Sequence, residues 1–304
     1  MQKSGLLILA LVPFVYGGTL MEELAALGST SVIRDLLNRT GLAQQIDKDY
    51  LTIFAPSDDA FAKLPDDVKN TVLSNATILY GVLQFHATHG IFRSQDASDN
   101  MMLESTLSGS KIRVNVYNDA QAGSQGPLFI TLNGAKVLKA NIQATNGYLH
   151  LIDTVMMPPL GNFYDIVSGS DVHTVMKSVI DDTNEQTLFQ TATGTLFAPV
   201  DDAFQAVFAA LTAKGMDINN AVARKEFLLY HLLESVVYSA GARPGIYTTK
   251  DKGEKLTVTM MANGTVMINQ AHVVLGDLSA TNGVVHIVDS VLVPEPYATA
   301  LIMG

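Results

Sequence analysis

The sequence predicts an α+β protein of two tandem domains, each a β-sandwich or wedge with flanking helices. Three observations carry this prediction: the chain repeats itself once, each repeat passes from helical to strand-like periodicity, and the composition is that of a globular protein. The chain has 304 residues, of which 48% are hydrophobic and 16% charged. Because a domain has roughly 150 residues, this length also favours two domains.

The repeat consists of two blocks that occur twice in the same order. Residues 54–61 read FAPSDDAF and residues 197–204 read FAPVDDAF, so seven of eight positions are identical. Residues 144–155 (ATNGYLHLIDTV) return as 280–291 (ATNGVVHIVDSV), with seven of twelve positions identical. The offset falls from 143 to 136 between the two blocks. This fall predicts extra residues in the first copy, in the loop 118–127.

Prolines that follow the second block mark the domain boundaries. They stand at positions 158–159 in the first copy and at Pro294 in the second. We therefore expect one domain over residues 19–159 and another over residues 160–297. Each is long enough to bury its own core, so we expect the two copies to fold as separate units.

Helical periodicity comes first in each copy. In the first copy, residues 20–27 and 31–46 carry apolar side chains at helical spacing, and Ser31 has the residue type of an N-cap. A strand at residues 52–55 leads into a helix that continues through Phe61. Ser57 and Asp58 are expected to cap this helix, because Ser and Asp favour helix N-termini.

Strand-like periodicity follows. Residues 111–116 and 255–260 alternate between apolar and polar side chains. Asn-Gly pairs at 133–134 and 263–264 are typical of hairpin turns. The last block of each copy is a nearly continuous apolar run, which is typical of a buried strand. Helices followed by such strands predict an α+β unit with a mostly antiparallel sheet.

The two ends of the chain are expected to lie outside the domains. Residues 1–18 have the pattern of a signal peptide, with cleavage expected after residue 17 or 18. Their apolar run at residues 6–12 is far shorter than the roughly 20 residues of a membrane-spanning helix. Residues 298–304 are expected to form a short C-terminal tail. We therefore expect a freely secreted protein.

Composition and short motifs exclude several classes of function. The net charge of −10 argues against nucleic acid or an anionic membrane as the main partner, and the absence of cysteine excludes disulfides and thiolate chemistry. Sequons at Asn38, Asn75 and Asn263, together with the signal peptide, predict an N-glycosylated protein.

Several residues that resemble catalytic groups have simpler structural interpretations. His150 and His286 each precede an Asp by three positions, which places the two side chains on opposite faces of a strand, so we expect buried, hydrogen-bonded histidines. The Asp pairs at 58–59 and 201–202 point about 100° apart on a helix, so capping explains them better than paired-carboxylate catalysis.

Metal sites are also disfavoured. The acidic stretch 181–185 lacks the glycine and the distal Glu of an EF-hand, so we expect a solvated loop. His86 and His89 have a spacing seen in zinc sites, but no third ligand stands nearby. The sequence therefore predicts no catalytic residues, no metal and no cofactor.

The two repeated blocks resemble the signature segments of the fasciclin domain family. The family also carries a Tyr-His pair on a helix between these segments, which is matched by Tyr230 and His231 within the apolar run 227–233. The first copy departs from the pattern, with Phe85 before His86. The resemblance covers nearly all of the mature chain. It implies a secreted or cell-surface matrix protein of tandem β-rich wedge domains without catalysis.

The resemblance also implies partner-binding residues. The family's Tyr-His region has been assigned to integrin binding, which points to Tyr230 and His231. An Asp-Ile-type dipeptide before the second signature is also linked to integrins, and it is matched by Asp277 and Leu278. The first copy has Asn141 there, which lacks the carboxylate that would complete an integrin's metal site. The alternative is that the Tyr-His pair packs in the core and that Asp277 only begins a turn.

The leading hypothesis is a secreted extracellular-matrix or cell-adhesion protein that acts by non-catalytic binding through two fasciclin-like domains. Its expected partners are cell-surface receptors, integrin-like if the source is an animal, or matrix proteins and polysaccharides. A structural glycoprotein of a carbohydrate-rich or mineralised matrix is the alternative, and a secreted hydrolase is the least favoured. Two copies with the same residues suit a bivalent binder.

Overall fold

The computed structural model describes residues 17–118, 128–261, 265–295 and 297–302. Several expectations lie outside these residues: the signal peptide up to residue 16, residues 119–127 of the predicted loop, and the sequon and turn at residues 263–264. Within the described residues, none of the helices has the length and apolar character needed to span a bilayer.

The first half of the chain contains helices followed by strands, as expected. Its elements are α1 (Leu20–Ala26), α2 (Ser31–Arg39), α3 (Leu42–Ile46), β1 (Leu51–Pro56), α4 (Asp58–Ala62), α5 (Asp66–Ser74), α6 (Ala76–Phe85), β2 (Ala87–His89), β3 (Met101–Glu104), β4 (Lys111–Asn118), β5 (Leu128–Leu132), β6 (Ala135–Ala144) and β7 (Gly147–Ile152). A 3₁₀ turn at Ser94–Asp96 lies between β2 and β3.

The second half repeats this order. Its elements are α7 (Phe163–Ser168), α8 (Thr174–Asp182), α9 (Gln186–Thr191), β8 (Gly194–Pro199), α10 (Asp201–Ala213), α11 (Ala221–Tyr230), β9 (Leu232–Leu233), β10 (Gly245–Thr248), β11 (Lys255–Met260), β12 (Val266–Ile268), β13 (Ala271–Ala280), β14 (Gly283–Val288) and α12 (Tyr297–Ile302). A 3₁₀ turn at Ser239–Gly241 lies between β9 and β10.

Each half forms one seven-stranded sheet. The strand order is β2-β1-β7-β6-β5-β4-β3 in the first domain, and β9-β8-β14-β13-β12-β11-β10 in the second. The pairs β1–β7 and β8–β14 are parallel, and the other described pairs are antiparallel. Two tandem α+β domains, each built on a mostly antiparallel sheet with helices, confirm the predicted fold class.

The two repeated sequence blocks are neighbours in space. The first block forms β1 and the second forms β7, and their parallel register places Phe54 beside His150. In the second domain the same register places Phe197 beside His286. The strands of this pair approach closely, since a Cβ at Gly283 would lie 2.0 Å from the carbonyl oxygen of Gly194. The repeated residues therefore define the centre of each sheet.

Both faces of the central strands are covered. In β1, Ile53 and Ala55 pack against the helices, whereas Phe54 points to the other face and packs in the core between the strands. This alternation follows from the two-residue period of a strand. Because both faces are covered, the whole of β1 is buried, and its sequence does not alternate between apolar and polar residues.

Three element boundaries differ from the expectations. The predicted helix 31–46 is divided into α2 and α3 by Gly41, which has a φ of 75°. The apolar run 227–233 is helical only to Tyr230 and then continues as a strand. The expected tail contains α12, whose Tyr297 packs on the Phe227 ring with a centroid distance of 4.9 Å.

The predicted hairpin turn of the first domain connects β5 and β6. Its residues Asn133 and Gly134 have φ values of 47° and 86°, which suit the Asn-Gly sequence. In the second domain the corresponding turn between β12 and β13 is Asn269-Gln270, with a φ of 51° at Asn269.

Tyrosine side chains join the two domains. Tyr117 of the first domain packs where Gly241 of the second lies, and a Cβ at Gly241 would be 2.2 Å from the Tyr117 ring. Reciprocally, Tyr238 of the second domain packs on Gly134 of the first, where a Cβ would be 2.7 Å from the ring. The Tyr238 backbone N–H donates to the Tyr117 hydroxyl at 3.3 Å. We call this contact the tyrosine joint.

Polar groups extend the tyrosine joint. Asn133 Nδ2 donates to Ser279 Oγ at 3.2 Å, and Arg113 Nη2 donates to the carbonyl oxygen of Thr281 at 3.3 Å. The side chains of Arg113, Asn133 and Ser279 are buried. The joint therefore contains buried polar groups from both domains.

Candidate functional site

Asp58 and Asp201 cap helices, but not the helices that they begin. Asp58 Oδ1 accepts from the backbone N–H of Val32 at 2.8 Å, and its Oδ2 accepts from Ser31 Oγ at 2.8 Å, so it caps α2 across the fold. Burial alone raises the pKa of Asp58, but these hydrogen bonds outweigh it and hold the pKa below its usual value. Of the two expected cap residues, Ser57 does cap α4, whereas the side chain of Asp58 caps α2 instead of its own helix.

The second domain repeats this contact. Asp201 accepts from the N–H groups of Thr174 and Val175, at 3.1 and 2.8 Å, and from Thr174 Oγ1 at 2.7 Å. It thus caps α8 as Asp58 caps α2. The neighbouring Asp59 and Asp202 are exposed. The acidic pairs therefore join elements of the fold and do not face a shared substrate space.

His86 and His231 are buried with both ring nitrogens occupied. His231 Nδ1 lies 2.7 Å from the carbonyl oxygen of Phe227, and its Nε2 accepts from the backbone N–H of Leu292 at 2.9 Å. His86 makes the equivalent contacts at the end of α6. Because an N–H must donate to the carbonyl, Nδ1 carries the proton and the ring is neutral. Burial lowers the pKa of both histidines to about 4.

Tyr230 is also largely buried. Its hydroxyl donates to the carbonyl oxygen of Lys255 at 3.0 Å and accepts from Asn269 Nδ2 at 3.2 Å. The partner-binding hypothesis placed Tyr230 and His231 on a contact surface. The structure places both side chains in the interior of the second domain, where they hold α11 to β11 and to the segment after β14. Their geometry matches the alternative of core packing.

His150 and His286 are held by backbone groups, as expected for interior histidines. His150 Nε2 lies 2.9 Å from the carbonyl oxygen of Phe92, and His286 Nε2 lies 2.9 Å from that of Val237. Burial lowers the pKa of His150. No His–Asp dyad forms within the strand; Asp289 instead contacts the ring of His272 at 2.9 Å.

Asp277 lies in a β-bulge of β13 and not in a turn before the strand. Its φ of 61° is left-handed, and its Oδ1 accepts from the backbone N–H of Ser239 at 2.7 Å while its Oδ2 accepts from Ser239 Oγ. Asn141 has the same role in the first domain, with a φ of 58° and a bond from the Ser94 N–H at 2.9 Å. Asp and Asn tolerate this conformation better than most residues. Each side chain thus accepts from the first residue of a 3₁₀ turn that lies elsewhere in the same domain.

The two bulges present different chemistry. In the second domain Val274 and Leu275 precede Asp277 and are 59% and 48% exposed, while Leu278 is half-buried against the helical core. In the first domain the position of Leu275 is occupied by Lys139. The second bulge therefore combines two exposed apolar side chains with a carboxylate, whereas the first combines one exposed apolar side chain, Leu138, with a cation and a neutral amide.

The acidic stretch 181–185 is engaged in ion pairs and hydrogen bonds. Asp181 accepts from Lys177 Nζ at 2.6 Å and from the Tyr164 hydroxyl at 2.9 Å, and these bonds lower its pKa. Asp182 accepts from Arg224 at 2.7 Å. Among the described residues, no group of three or more His, Asp and Glu side chains is arranged to hold a metal ion.

Two predicted glycosylation sites lie at helix ends. Asn38 is exposed in the last turn of α2. Asn75 is exposed and caps α6, because its Oδ1 accepts from the N–H groups of Thr77 and Ile78. The Nδ2 atom that a glycan would occupy is a different atom from this acceptor. The third site, Asn263, lies outside the described residues.

Sequence reasoning missed Ser94 and Ser239, the partners of the two bulges. Each stands in a short polar segment far from the bulge along the chain, so no local pattern connects the two. The only signal is the repetition itself, since a serine follows each Phe92 or Val237 by two positions.

Comparison with known proteins gives consistent matches. The fasciclin domain family matches residues 28–158 and 170–294. Transforming growth factor-beta-induced protein ig-h3 of Sus scrofa is 28% identical over 250 residues, covering 82% of this chain and 35% of that protein. Periostin of Homo sapiens is 25% identical over 292 residues, covering 93% of this chain and 32% of that protein. The chain thus spans about a third of the length of these two relatives.

Two further matches cover most of their own length. Fasciclin-like arabinogalactan protein CTB11 of Cercospora beticola is 22% identical over 311 residues, covering 92% of this chain and 78% of that protein. The solved structure of a FAS1 domain pair from the insect cell adhesion molecule Fasciclin I aligns with 90% of this chain and 99% of that chain, at 19% identity and a TM-score of 0.42.

Proposed function

The chain belongs to the fasciclin domain family, and from this premise we propose that it is a secreted protein of the extracellular matrix or cell surface that acts by non-catalytic binding through its two domains. The residues that resemble catalytic groups support the proposal, because they are engaged in the fold. Asp58 and Asp201 cap helices, and His86 and His231 have both ring nitrogens occupied.

The observation that carries the proposal is the bulge of β13. Val274 and Leu275 are exposed next to Asp277, whose carboxylate is held in place by Ser239. Contiguous exposed apolar side chains with a polar rim are typical of protein contact surfaces, and Asp277 supplies such a polar group here. In this proposal the surface contacts a receptor or matrix protein, and Asp277 offers a carboxylate oxygen to a divalent cation bound by that partner.

Tyr230 and His231 serve this function indirectly. Since both side chains are buried, they contribute by holding α11 and the strands of the second domain together. A variant of either residue is therefore expected to lose adhesion only as far as it loses folded protein. In this proposal Asp277, Val274 and Leu275 make the direct contact with the binding partner.

The test is cell attachment to the immobilised full chain, with the variants Asp277→Asn and Asn141→Asp. We expect Asp277→Asn to reduce divalent-dependent attachment about tenfold, because an amide is a weaker ligand for a hard cation. Its thermal unfolding should match the parent, since Asn141 makes the equivalent backbone contact in the first domain.

Asn141→Asp is the matched control, because it adds a carboxylate at the equivalent bulge, where Lys139 stands in place of Leu275, one of the two exposed apolar side chains. It should leave attachment close to the parent's. Full attachment by Asp277→Asn would remove the bulge from the mechanism.

Secretion and glycosylation belong to the same proposal. Expression in a eukaryotic secretory host should place the protein in the medium, beginning near Gly18 or Thr19, with a mass that an endoglycosidase reduces. Asn75→Gln should remove one glycan, and Asn38→Gln another. Protein that stays in the cytosol with Met1 intact would contradict this part of the proposal.

A further inference from the structure

The second domain contains a cavity of about 380 Å³ between its strands. This volume is within the range of small-molecule sites, roughly 300–1,000 Å³. Its walls are mainly apolar and include Phe197, Val237, Tyr247, Val258 and Val273. His286, Ser239 and Asp277 also line it.

The equivalent space in the first domain is filled by an aromatic ring. Phe92 and Val237 occupy equivalent positions, because their carbonyl oxygens accept from His150 and His286, respectively. The Phe92 ring packs 5.9 Å from the Phe54 ring and 5.8 Å from the His150 ring, measured between centroids.

In the second domain Phe197 stacks on His286 at 5.8 Å, but no third ring joins them at position 237. Val237 is half-buried, whereas Phe92 is buried. The smaller side chain leaves open the space that a ring fills in the first domain. The two cores therefore differ at this position, and the smaller side chain borders the cavity.

We propose that this cavity is a binding site for an uncharged, mainly apolar molecule that carries a hydroxyl head, such as a medium-chain or terpenoid alcohol. The apolar part would contact Phe197, Val237, Tyr247 and Val258. The hydroxyl would donate to the Asp277 carboxylate, which retains acceptor capacity beyond its two bonds from Ser239.

The polar groups of the cavity select against an acidic head. His286 is engaged at both nitrogens, with Nε2 on the Val237 carbonyl and Nδ1 accepting from the Asp277 N–H at 3.2 Å. Its ring therefore offers no free donor to a carboxylate. Asp277 would repel such a group. Fatty acids of the same chain length should bind more weakly than the alcohols.

The test is fluorescence titration of the full chain with N-phenyl-1-naphthylamine, followed by displacement with decanol or decanoate. We expect one saturable probe site per chain, displaced by decanol and displaced at least about tenfold less well by decanoate. Val237→Phe installs the residue of the first domain and should weaken probe binding by at least about tenfold. Its melting temperature should stay equal or rise, because the variant fills a cavity.

Two further variants make the result specific. Val172→Phe makes the same substitution on the surface and should bind the probe like the parent. Val273→Phe fills the cavity from another wall and should repeat the loss of binding, so the test does not depend on one variant's folding. Unchanged binding in both filled variants, no displaceable site in the parent, or equal displacement by decanoate would overturn the proposal. Val237→Phe leaves the exposed bulge intact, so cell attachment separates this result from the adhesion test.

Discussion

His86 and His231 connect the end of a helix to the segment after the last strand of each domain. Their low pKa makes stability depend on pH. Below pH 6.5 the unfolded chain binds a proton at each histidine, while the folded domain does so only near pH 4. Their contribution is therefore complete above pH 6.5 and is lost as the pH falls towards 4.

We expect His231→Gln to lower the free energy of unfolding by about 2–3 kcal/mol at pH 7.5, because buried partners lose their hydrogen bonds. The parent should lose stability between pH 6.5 and 4, with about 3 kcal/mol from each histidine at most. The variant should lose less over the same range. Urea unfolding at a series of pH values measures both effects.

His89→Gln is the control for this pH series, because His89 is exposed at the end of β2. It should keep the parent's stability and pH dependence. A His231→Gln protein whose stability falls with pH as steeply as the parent's would contradict the assignment.

The cap by Asp201 gives a second prediction at this scale. Asp201→Ala removes three hydrogen bonds from the N-terminus of α8 and should cost about 2 kcal/mol. Asp202→Ala, one residue further along an exposed face, should cost less than about 0.5 kcal/mol. Denaturant unfolding of the two variants compares neighbouring carboxylates of the same sequence block, and equal losses would show that the cap contributes nothing specific.

The central strands β1 and β8 differ in how their phenylalanines are packed. Phe54 is surrounded by Phe92 and His150, so Phe54→Ala should leave a new void and cost about 3–5 kcal/mol. Phe197 already borders the 380 Å³ cavity, so Phe197→Ala should cost less than Phe54→Ala. Equilibrium unfolding of both variants measures the difference, and a larger loss for Phe197→Ala would contradict this description of the two cores.

The elements that the sequence predicted correctly are those with strong local patterns. The repeated blocks predicted β1 and β7, and the alternation at residues 111–116 predicted β4. The break at Gly41 was missed because apolar spacing continues across it. The cap from Asp58 to Val32 was missed because it joins residues 26 positions apart, and periodicity reports only neighbours.

The candidate site, too, could be predicted from the sequence only in part. Resemblance indicated Asp277, but only the fold shows that a bulge with left-handed backbone holds it against Ser239. The apolar neighbours of the Tyr-His pair predict a helix. The position where this helix ends and the interior contacts of the two side chains depend on the tertiary structure. The contrast between Phe92 and Val237 is visible in the sequence, but its position beside the cavity is known only from the tertiary structure of both cores.

At the scale of the whole molecule, the tyrosine joint changes the expectation of independent domains. Tyr117 packs on Gly241, and Tyr238 packs on Gly134. Each domain therefore contributes a side chain that packs against the other domain. We therefore expect the full chain to unfold in one calorimetric transition. The buried polar groups at the joint, including Arg113, would lose partners if the domains separated.

Gly241→Ala tests the joint. The added methyl group would lie within the Tyr117 ring, so the ring must move and the domain contact loosens. We expect the single transition to split into two, with the first at a lower temperature than the parent's. Gly245→Ala is the matched control, since a Cβ there has no neighbour within 4 Å. A single transition at the parent's temperature in Gly241→Ala would show that the joint does not couple the domains.

The tyrosine joint also bears on whether a further domain could pair with this one by the same contact. It is a heterologous contact, in which two similar units meet through different faces, and such contacts can propagate into open chains. Here the equivalent faces are blocked: Gln270 stands in the second domain where Gly134 receives a tyrosine, and Asp96 stands in the first domain where Gly241 does. Because Gln270 and Asp96 carry side chains where the joint needs a glycine, a further copy of either domain would require a different contact at these positions. The tyrosine joint is therefore specific to this pair of faces and is not a contact that the repeat itself encodes.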